Sequence, residues 1–380
     1  MSDRSRDGPG DSADVSAALR RGLKSALARW VLAKRRGYRP APPPEPSDEA
    51  THEWDGRPRF AEDYTFAGAQ AGLGVIVRLE WLPGRDSQRV WVVVLRPDGA
   101  WALPGGDRVL RTTGEDRWRA AGLRLDCVTP MQRWTVEHTG RLQRMGYVAG
   151  GPSLRVVEAG DPAELRGSVD LTFVASAPPH APGIDDDPEL LARRLGEASW
   201  DARLLRAARR ARSQGYVQLG HLHGTVAVGD LLVPVRAVSL RQHHWGVRDW
   251  GAPREAFQCM WATPDERCGW VYRARFPFVT LEGGFWAQRE RIAPVRTLGC
   301  SVEERPGRAP ARVGLSIGEA EGSHELRAEV VSELSFAVDG RARLDVGLLR
   351  VEGSQPGWGL WTGLRRLPPA GRPGAARLGG

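Results

Sequence analysis

The chain has 380 residues, 41% of them hydrophobic, and a formal net charge of +8. This composition is typical of one or two folded domains with their own cores and excludes a disordered chain. Four widely spaced cysteines without a C-x-x-C pair exclude a disulfide framework and a zinc ribbon, so we expect reduced, buried thiols in an intracellular protein.

The positive charge is concentrated at the N-terminal end. Residues 1–40 contain ten basic and four acidic residues, which account for six of the eight net positive charges. The remaining chain is nearly neutral and carries no nucleic-acid-binding motif, so we predict no nucleic-acid partner. The sequence also lacks an apolar run of about 18 residues and a signal-peptide core, which favours a cytoplasmic protein without a membrane-spanning helix.

Residues 1–12 are predicted to be a disordered tail and residues 13–37 an amphipathic helix, followed by a Pro-rich linker over residues 38–58. Apolar residues recur at steps of three and four from Val15 to Val31, and Gly37 ends the pattern. Two interpretations stay open for residues 15–36. The helix docks its apolar stripe on this protein or a partner, or it lies in an anionic membrane interface with Trp30 at headgroup depth.

Short β-rich runs dominate residues 59–184. Residues 74–81 (GVIVRLEW) and 89–96 (RVWVVVLR) flank a turn at 83–86, and further strand candidates are 122–128, 134–139 and 169–175. Many short strands at about ten-residue spacing are typical of a sandwich or barrel. We therefore predict a first β-barrel here.

A helix is predicted to begin at Asp185-Asp186-Asp187-Pro188, because carboxylates and a proline suit the first helical turn. Residues 185–214 form a predicted helical linker and mark the domain boundary. Strand patterns resume over residues 215–365, which we predict to be a second barrel, and residues 366–380 are a predicted disordered tail.

The stretch 215–250 contains two runs of period two around Gly229-Asp230, a predicted two-residue hairpin turn. In this register Tyr216 faces His243 and Gln218 faces Arg241, and all four share one face with aliphatic residues, which predicts the core face. The four side chains either satisfy one another as a structural network or present donors to a ligand in an apolar cavity.

Four histidines in this stretch raise the question of a metal site. His221 and His223 share a face, but His243 and His244 lie about five positions away along the hairpin, roughly 17 Å at 3.3 Å per residue. We therefore predict no metal site, and nothing in the sequence indicates a cofactor.

The run RQHHWGVRDW at residues 241–250 resembles the Arg-Asp-His-Ser-Trp-Gly-x-Arg-x-Trp signature of a double-lipocalin-like (calycin-type) family. That family includes carotenoid 1,2-hydratase (hydroxyneurosporene synthase) and is akin to tocopherol cyclase-like proteins. Tyr216-Val217-Gln218 is similar to its aromatic-x-Gln strand. The resemblance implies a mainly β fold of two consecutive antiparallel lipocalin-like barrels, joined here by the helical linker and preceded by the amphipathic helix. It also implies a lipophilic-ligand site in the second barrel.

The pattern and the resemblance together predict these ligand-binding residues: Tyr216, Gln218, Arg241, His243, Trp245, Arg248, Asp249, Trp250 and Phe285. Gln242 stands where the family has Asp and His244 where it has Ser, and we expect both to lie on the face away from the cavity. Since hydration or cyclisation of an isoprenoid needs a strong proton donor beside the alkene, the lost carboxylate weakens acid catalysis. No catalytic residue is assigned.

Three functions follow as hypotheses. The first is binding or carriage of a lipophilic small molecule, a lipid or isoprenoid, in a pocket near Arg241 and His243. The second is a hydratase or cyclase acting on an isoprenoid or polyketide C=C bond. The third is a non-catalytic interaction scaffold. We expect a cytoplasmic location, at a membrane surface if residues 15–36 bind one.

Overall fold

The computed structural model describes residues 18–30, 44–112, 116–145, 165–200, 214–289, 291–306 and 308–367. Two α-helices lie in these ranges, α1 (18–30) and α2 (Pro188–Glu197), with short 3₁₀ turns at Pro46–Glu49 and Pro83–Arg85. The first eleven strands are β1 Phe60–Gln70, β2 Leu73–Leu82, β3 Ser87–Arg96, β4 Gly99–Ala102, β5 Arg108–Arg111, β6 Arg119–Ala120, β7 Leu123–Thr129, β8 Arg133–Met145, β9 Leu165–Ala175, β10 Gln214–Val228 and β11 Leu231–Val247. Nine more follow: β12 Glu255–Ala262, β13 Arg267–Arg275, β14 Thr280–Gln288, β15 Arg291–Pro294, β16 Thr297–Glu303, β17 Arg312–Gly318, β18 Ser323–Val338, β19 Ala342–Val351 and β20 Gly357–Arg366.

The strands form two antiparallel sheets. In the first, eight strands close into a barrel in the order β4-β3-β2-β1-β11-β10-β9-β8, and β8 pairs back with β4. Strands β5, β6 and β7 extend this sheet. The second sheet is a half-barrel of nine strands in the order β15-β14-β13-β12-β20-β19-β18-β17-β16. The predicted mainly β fold with two lipocalin-like units is thus confirmed.

The described residues form three apolar cores, and the second of them joins the two sheets. One fills the closed barrel, a second lies between the barrel wall and the half-barrel, and the third lies inside the half-barrel. Strand β2 faces the first core with Val77 and the second with Ile76. Burial of both faces explains why its sequence is continuously apolar around two charged residues instead of alternating.

The predicted domain boundary at 185–214 is wrong. β10 and β11, assigned above to the second barrel, pair with β9 and β1 and complete the first barrel. The helix α2 therefore separates two strands of one barrel, and the chain enters the half-barrel only at Glu255. The hairpin also needs β1 as a partner, which lies about 180 residues earlier and leaves no local trace in the sequence pattern.

The predicted hairpin register is confirmed. Tyr216 pairs with His243, Gln218 with Arg241, and the same register holds from Gln214 to Trp245 without a bulge. Gly229 has a φ of 59°, the left-handed conformation that a two-residue hairpin turn requires.

The helix α2 begins at the residue predicted from the sequence. The side chain of Asp187 accepts hydrogen bonds from the backbone N–H groups of Glu189 and Leu190, which confirms the predicted start of α2. The rest of the predicted helical linker, residues 201–213, lies outside the described residues, as do the tail 1–12 and most of the tail 366–380. Neither described helix has the length and apolar character needed to cross a bilayer.

All four cysteines are free, as expected, but their burial differs. Cys259 is buried, Cys268 and Cys300 are intermediate, and Cys127 is exposed. The expectation of four buried thiols is therefore wrong at Cys127.

Candidate functional site

Four predicted site residues meet inside the barrel, at the end where β10 starts and β11 ends. Nη1 of Arg241 donates to both carboxylate oxygens of Glu49 at 2.5 and 2.7 Å, and Nη2 donates to Gln218 at 2.6 Å. The hydroxyl of Tyr216 donates to Glu49 at 2.9 Å. Arg241 and Tyr216 have no exposed surface. This is a closed ion pair and hydrogen-bond network, and burial raises the pKa of the Tyr216 phenol.

His243 belongs to a second group beside this network. Its Nε2 lies 3.0 Å from Oε1 of Glu62, and Nδ1 of His52 lies 2.9 Å from the same oxygen. Burial raises the pKa of Glu62, but the contacts with His243 and His52 outweigh it and the net shift is downward. Burial lowers the pKa of His243, opposed in part by Glu62. At neutral pH this places a carboxylate beside a neutral His243 imidazole.

Both groups are completed by a short segment that precedes β1, residues 44–54. It inserts Glu49 into the barrel and lays His52 over Trp245, with ring centroids 4.0 Å apart. The hydroxyl of Tyr64 also donates to the backbone carbonyl of Glu49 at 3.1 Å. The predicted polar cluster thus has partners within the chain, as in the structural-network interpretation.

The opposite face of β1, β2 and β11 carries a chain of charges between the barrel and the half-barrel. Nη2 of Arg78 lies 3.0 Å from both Asp63 and Glu80, and Arg248 lies 2.7 Å from Asp63. Arg89 pairs with Glu80 from the other side. Burial raises the pKa of Asp63 although Arg248 and Arg78 oppose it, whereas the arginines overcome burial and lower the pKa of Glu80.

A cavity of about 90 Å³ lies next to this chain of charges, between the barrel wall and the half-barrel; we call it the inter-sheet cavity. Nε2 of Gln242 donates to Oε1 of Gln258 at 2.7 Å, and the indole of Trp270 donates to the same oxygen at 3.2 Å. Its lining residues are Thr65, Ala67, Ile76, Arg78, Trp91, Val93, Leu240, Gln242, Trp250, Gln258, Met260, Trp270, Phe336, Leu344, Val346, Leu360 and Thr362. Gln242 lies, as expected, on the face of β11 opposite Arg241 and His243, but the inter-sheet cavity lies on that face and not on theirs.

The predicted site residues divide among several places. Tyr216, Gln218, Arg241 and His243 lie inside the barrel, and Trp245 lies near its mouth. Arg248 joins the buried charges. Only Trp250 lines the inter-sheet cavity. Asp249 pairs with Arg59 and Arg341 near the surface, and Phe285 is buried in the core between the sheets.

Sequence reasoning missed the carboxylates that complete both groups. Glu62, Asp63 and Glu80 interrupt apolar strand runs, and a charge in a run that is otherwise buried signals a paired partner. The sequence alone therefore indicates that these three carboxylates have partners. Glu49 and His52 sit in a Pro-rich stretch that reads as a linker, and no local pattern marks them as barrel residues.

The model of one family, described as a domain of unknown function (DUF7064), matches residues 45–362, so the chain belongs to that family. No curated protein matches the sequence. An AttH-like protein from Nitrosomonas europaea has the same fold, with 12% sequence identity and a TM-score of 0.50 over 83% of this chain and 98% of that one.

Two other solved structures are more distant. Kievitone hydratase from Nectria haematococca has 11% identity and a TM-score of 0.43 over 85% of this chain and 93% of that one. CghA in complex with Sch210972 has 11% identity and a TM-score of 0.45 over 81% of this chain and 89% of that one.

Proposed function

We propose that this member of the DUF7064 family binds a small, uncharged and largely apolar molecule, or the end of a longer lipid or isoprenoid, in the inter-sheet cavity. The observation that carries the proposal is a cavity lined mostly by apolar side chains, with the hydrogen-bonded pair Gln242 and Gln258 at its wall. The other polar residues of the lining are Thr65, Arg78 and Thr362. Ligand sites have this composition: apolar walls for affinity and a few polar groups for orientation.

The size of the inter-sheet cavity limits the ligand. At about 90 Å³ it is smaller than the 300–1,000 Å³ of sites for drug-sized molecules, so it accommodates a short apolar group. A larger cavity of about 170 Å³ lies beside Phe257 and Trp361, but the ion pairs Glu255–Arg275 and Glu304–Arg365 border it. Charged walls suit an apolar molecule poorly, and the larger cavity has six charged lining residues, whereas the inter-sheet cavity has one, Arg78.

Binding is favoured over catalysis by what lines the inter-sheet cavity. Its lining includes aromatic faces from Trp91, Trp250 and Trp270 but no carboxylic acid, histidine, cysteine or tyrosine. Protonation of a C=C bond needs such an acid at the alkene. The lining therefore resembles a binding site more than an acid catalyst.

Hydration or cyclisation of a C=C bond, the chemistry that the resemblance to carotenoid 1,2-hydratase implies, is the second candidate because of one contact. The hydroxyl of Thr65, at the cavity wall, lies 3.3 Å from Oδ1 of Asp63, whose pKa burial raises. Asp63 could then replace the carboxylate lost at position 242, with Thr65 passing the proton. Asp63→Asn should abolish turnover and leave binding unchanged if this chemistry occurs.

The test of binding is native mass spectrometry of the purified chain, followed by organic extraction and identification of the extracted molecules. Titration of fatty acids and isoprenoids should quench the tryptophan fluorescence. Ala67→Leu fills the cavity and Gln242→Leu removes a polar anchor, and each should weaken binding by about tenfold, one lost contact of about 1.4 kcal/mol.

Gln70→Leu is the matched control, because Gln70 lies on the same strand as Ala67 and bonds instead to Pro234 and Arg236. Equal binding by all variants, or a clean extract with no fluorescence response, would leave the scaffold hypothesis as the better account.

We also propose that α1 holds the protein at an anionic membrane surface, which would make it a cytoplasmic, peripheral membrane protein. The helix docks on α2 through Ser25 and Ala28: a Cβ added to Gly196 would lie 1.9 Å from Oγ of Ser25, and Ala28 is only 3% exposed. Lys24 donates to the carbonyl of Ala198 on the same side. The apolar stripe, for which the sequence left docking on protein and contact with a membrane both open, therefore faces outward.

That stripe consists of Leu19, Leu23, Leu27 and Trp30, each at least 47% exposed and spaced at steps of three and four. Arg20 is exposed beside it, and residues 1–40 carry most of the net charge of the chain. An apolar stripe with flanking basic residues fits an anionic interface.

The protein should co-sediment with phosphatidylserine vesicles. Added salt should reduce this retention, and vesicles of pure phosphatidylcholine should not retain the protein. Leu23→Ser with Leu27→Ser should lower retention at least tenfold, since each leucine buries apolar area worth about 1.5 kcal/mol or more. The control is Leu231→Ser with Leu232→Ser, which alters two exposed leucines at the β10–β11 turn. Retention that ignores the α1 variant would contradict the proposal.

A further inference from the structure

Three metal-ligating side chains meet at the mouth of the barrel. The donor nitrogens of His52 and His243 and a carboxylate oxygen of Glu62 all lie within 4.8 Å of one another. We propose that these residues bind a divalent first-row transition-metal ion such as Zn²⁺. This site is separate from the inter-sheet cavity and replaces the expectation, drawn from sequence, that the chain binds no metal.

The charge of Glu62 is the first argument. Its side chain has no exposed surface. Within the described ranges it contacts the two imidazoles and accepts from the backbone N–H of His52 at 3.0 Å, but no arginine or lysine pairs with it. The neighbouring buried carboxylates do have arginine partners. Glu49 contacts Arg241, and Asp63 and Glu80 each contact two or more arginines. Buried carboxylates are paired with a cation or ligate a metal. Glu62 has the neighbours of a metal ligand.

The geometry is the second argument. Four ligands at about 2.0 Å in a tetrahedral site lie about 3.3 Å apart. Oε1 of Glu62 lies 2.9 Å from Nδ1 of His52 and 3.0 Å from Nε2 of His243, and all three donor atoms lie within 4.8 Å of one another. Small adjustments of the side chains would therefore bring them to this spacing. Two imidazoles and one carboxylate suit Zn²⁺ or Fe²⁺ and disfavour Mg²⁺ and Ca²⁺, which prefer oxygen ligands.

The rings are held in place before any ion arrives. His243 stacks on Tyr64 and His52 stacks on Trp245, each with ring centroids 4.0 Å apart. The His52 side chain is 25% exposed, whereas those of Glu62 and His243 are fully buried. An ion would therefore enter from the side of His52, and three protein ligands leave one position there for water.

Metal binding would also have a structural effect. Glu62 and His243 lie on the adjacent strands β1 and β11, whereas His52 lies in the segment 44–54 that closes the barrel. An ion bound to all three would link that segment to the barrel wall. We therefore expect metal binding to raise the melting temperature, because it adds a bond that exists only in the folded chain.

The experiment uses the full chain after treatment with a chelator. Titration calorimetry with Zn²⁺ should show one equivalent bound, and Co²⁺ should give visible d–d bands typical of low coordination number. A hundredfold excess of Zn²⁺ over its dissociation constant should raise the melting temperature by about 3 °C or more. His52→Ala should weaken binding at least tenfold and remove the thermal shift, since even the loss of an outer-shell partner costs that much.

The double variant His221→Ala with His223→Ala is the matched control, because these two exposed rings lie 6.0 Å apart on the outside of the barrel and could capture metal on their own. Glu62→Gln, which keeps the shape of the side chain, provides a second site variant. No uptake by wild type, or uptake lost in the control and retained in His52→Ala, would overturn the proposal. Either result leaves ligand binding in the inter-sheet cavity untouched.

Discussion

The two faces of β11 differ in a way that the pattern of the strand does not show. On the inner face, Arg241 and His243 are completely buried, and both contact a carboxylate of the same chain. On the outer face, Gln242 lines the inter-sheet cavity. Arg241 and His243 therefore close the barrel, whereas Gln242, between them in the sequence, borders the proposed ligand cavity. A polar side chain in a buried strand indicates a hydrogen-bond or ion-pair partner, and that partner can belong to the same chain instead of to a ligand.

The largest effect is expected on the inner face. Arg241→Met should lower the free energy of unfolding by about 3–5 kcal/mol, because Glu49 keeps a buried charge without its cation. Urea unfolding at pH 7.5 measures the loss. Adding Glu49→Gln to this variant should restore part of the stability, since no buried charge is then left unpaired. A single variant as stable as wild type would show that the contact between Arg241 and Glu49 does not stabilise the barrel.

A second test of burial in the barrel uses His138, whose burial should make the stability of the fold depend on pH. His138 is 1% exposed, and burial lowers its pKa from 6.5 to about 4. The unfolded chain therefore binds a proton at higher pH than the folded one, and stability falls as pH drops from about 6.5 to 4. The loss should reach about 3 kcal/mol, and little change is expected from this residue above pH 7.

His138→Leu should remove that part of the pH dependence, while His243 and His244, whose pKa values are also lowered by burial, keep the remainder. The measurement is urea unfolding of both proteins at pH 7.5, 6, 5 and 4, because the wild-type loss due to His138 should be about 2 kcal/mol at pH 5 and about 3 kcal/mol at pH 4. Parallel losses in wild type and variant would contradict the assignment to His138.

The outer face should tolerate change much better. Gln242→Leu should cost at most about 1 kcal/mol, because it removes one neutral hydrogen bond and Gln258 still accepts from Trp270. Thermal and urea unfolding check this. A loss as large as that of Arg241→Met would mean that the two faces are equally structural, and the contrast between them would disappear.

The smallest effect belongs to Asp249, a predicted ligand residue that lies outside both sites. Its partners Arg59 and Arg341 have side chains about half exposed, and exposed ion pairs contribute little. Asp249→Asn should change stability by less than about 1 kcal/mol and leave ligand binding unaltered. Weakened binding would extend the ligand site to the end of β11.

Local patterns predicted much of the fold. The Gly229-Asp230 turn set the register of the hairpin, and Asp187-Pro188 marked the start of α2. These features depend on residues close together in the chain, where turn geometry and capping act. The assignment of the hairpin to a barrel failed because the partner strand β1 is distant in sequence, and antiparallel pairing leaves no mark on either strand alone.

For the candidate sites, too, the local sequence determined one part and the tertiary structure the other. The sequence alone established that Tyr216, Gln218, Arg241 and His243 share one buried face, because side chains alternate along a strand. Only the tertiary structure decided that Glu49 and His52 fill that face and that the open space lies behind Gln242. Whether a buried polar group meets a ligand or another part of its own chain depends on contacts over the whole fold, which local periodicity does not encode.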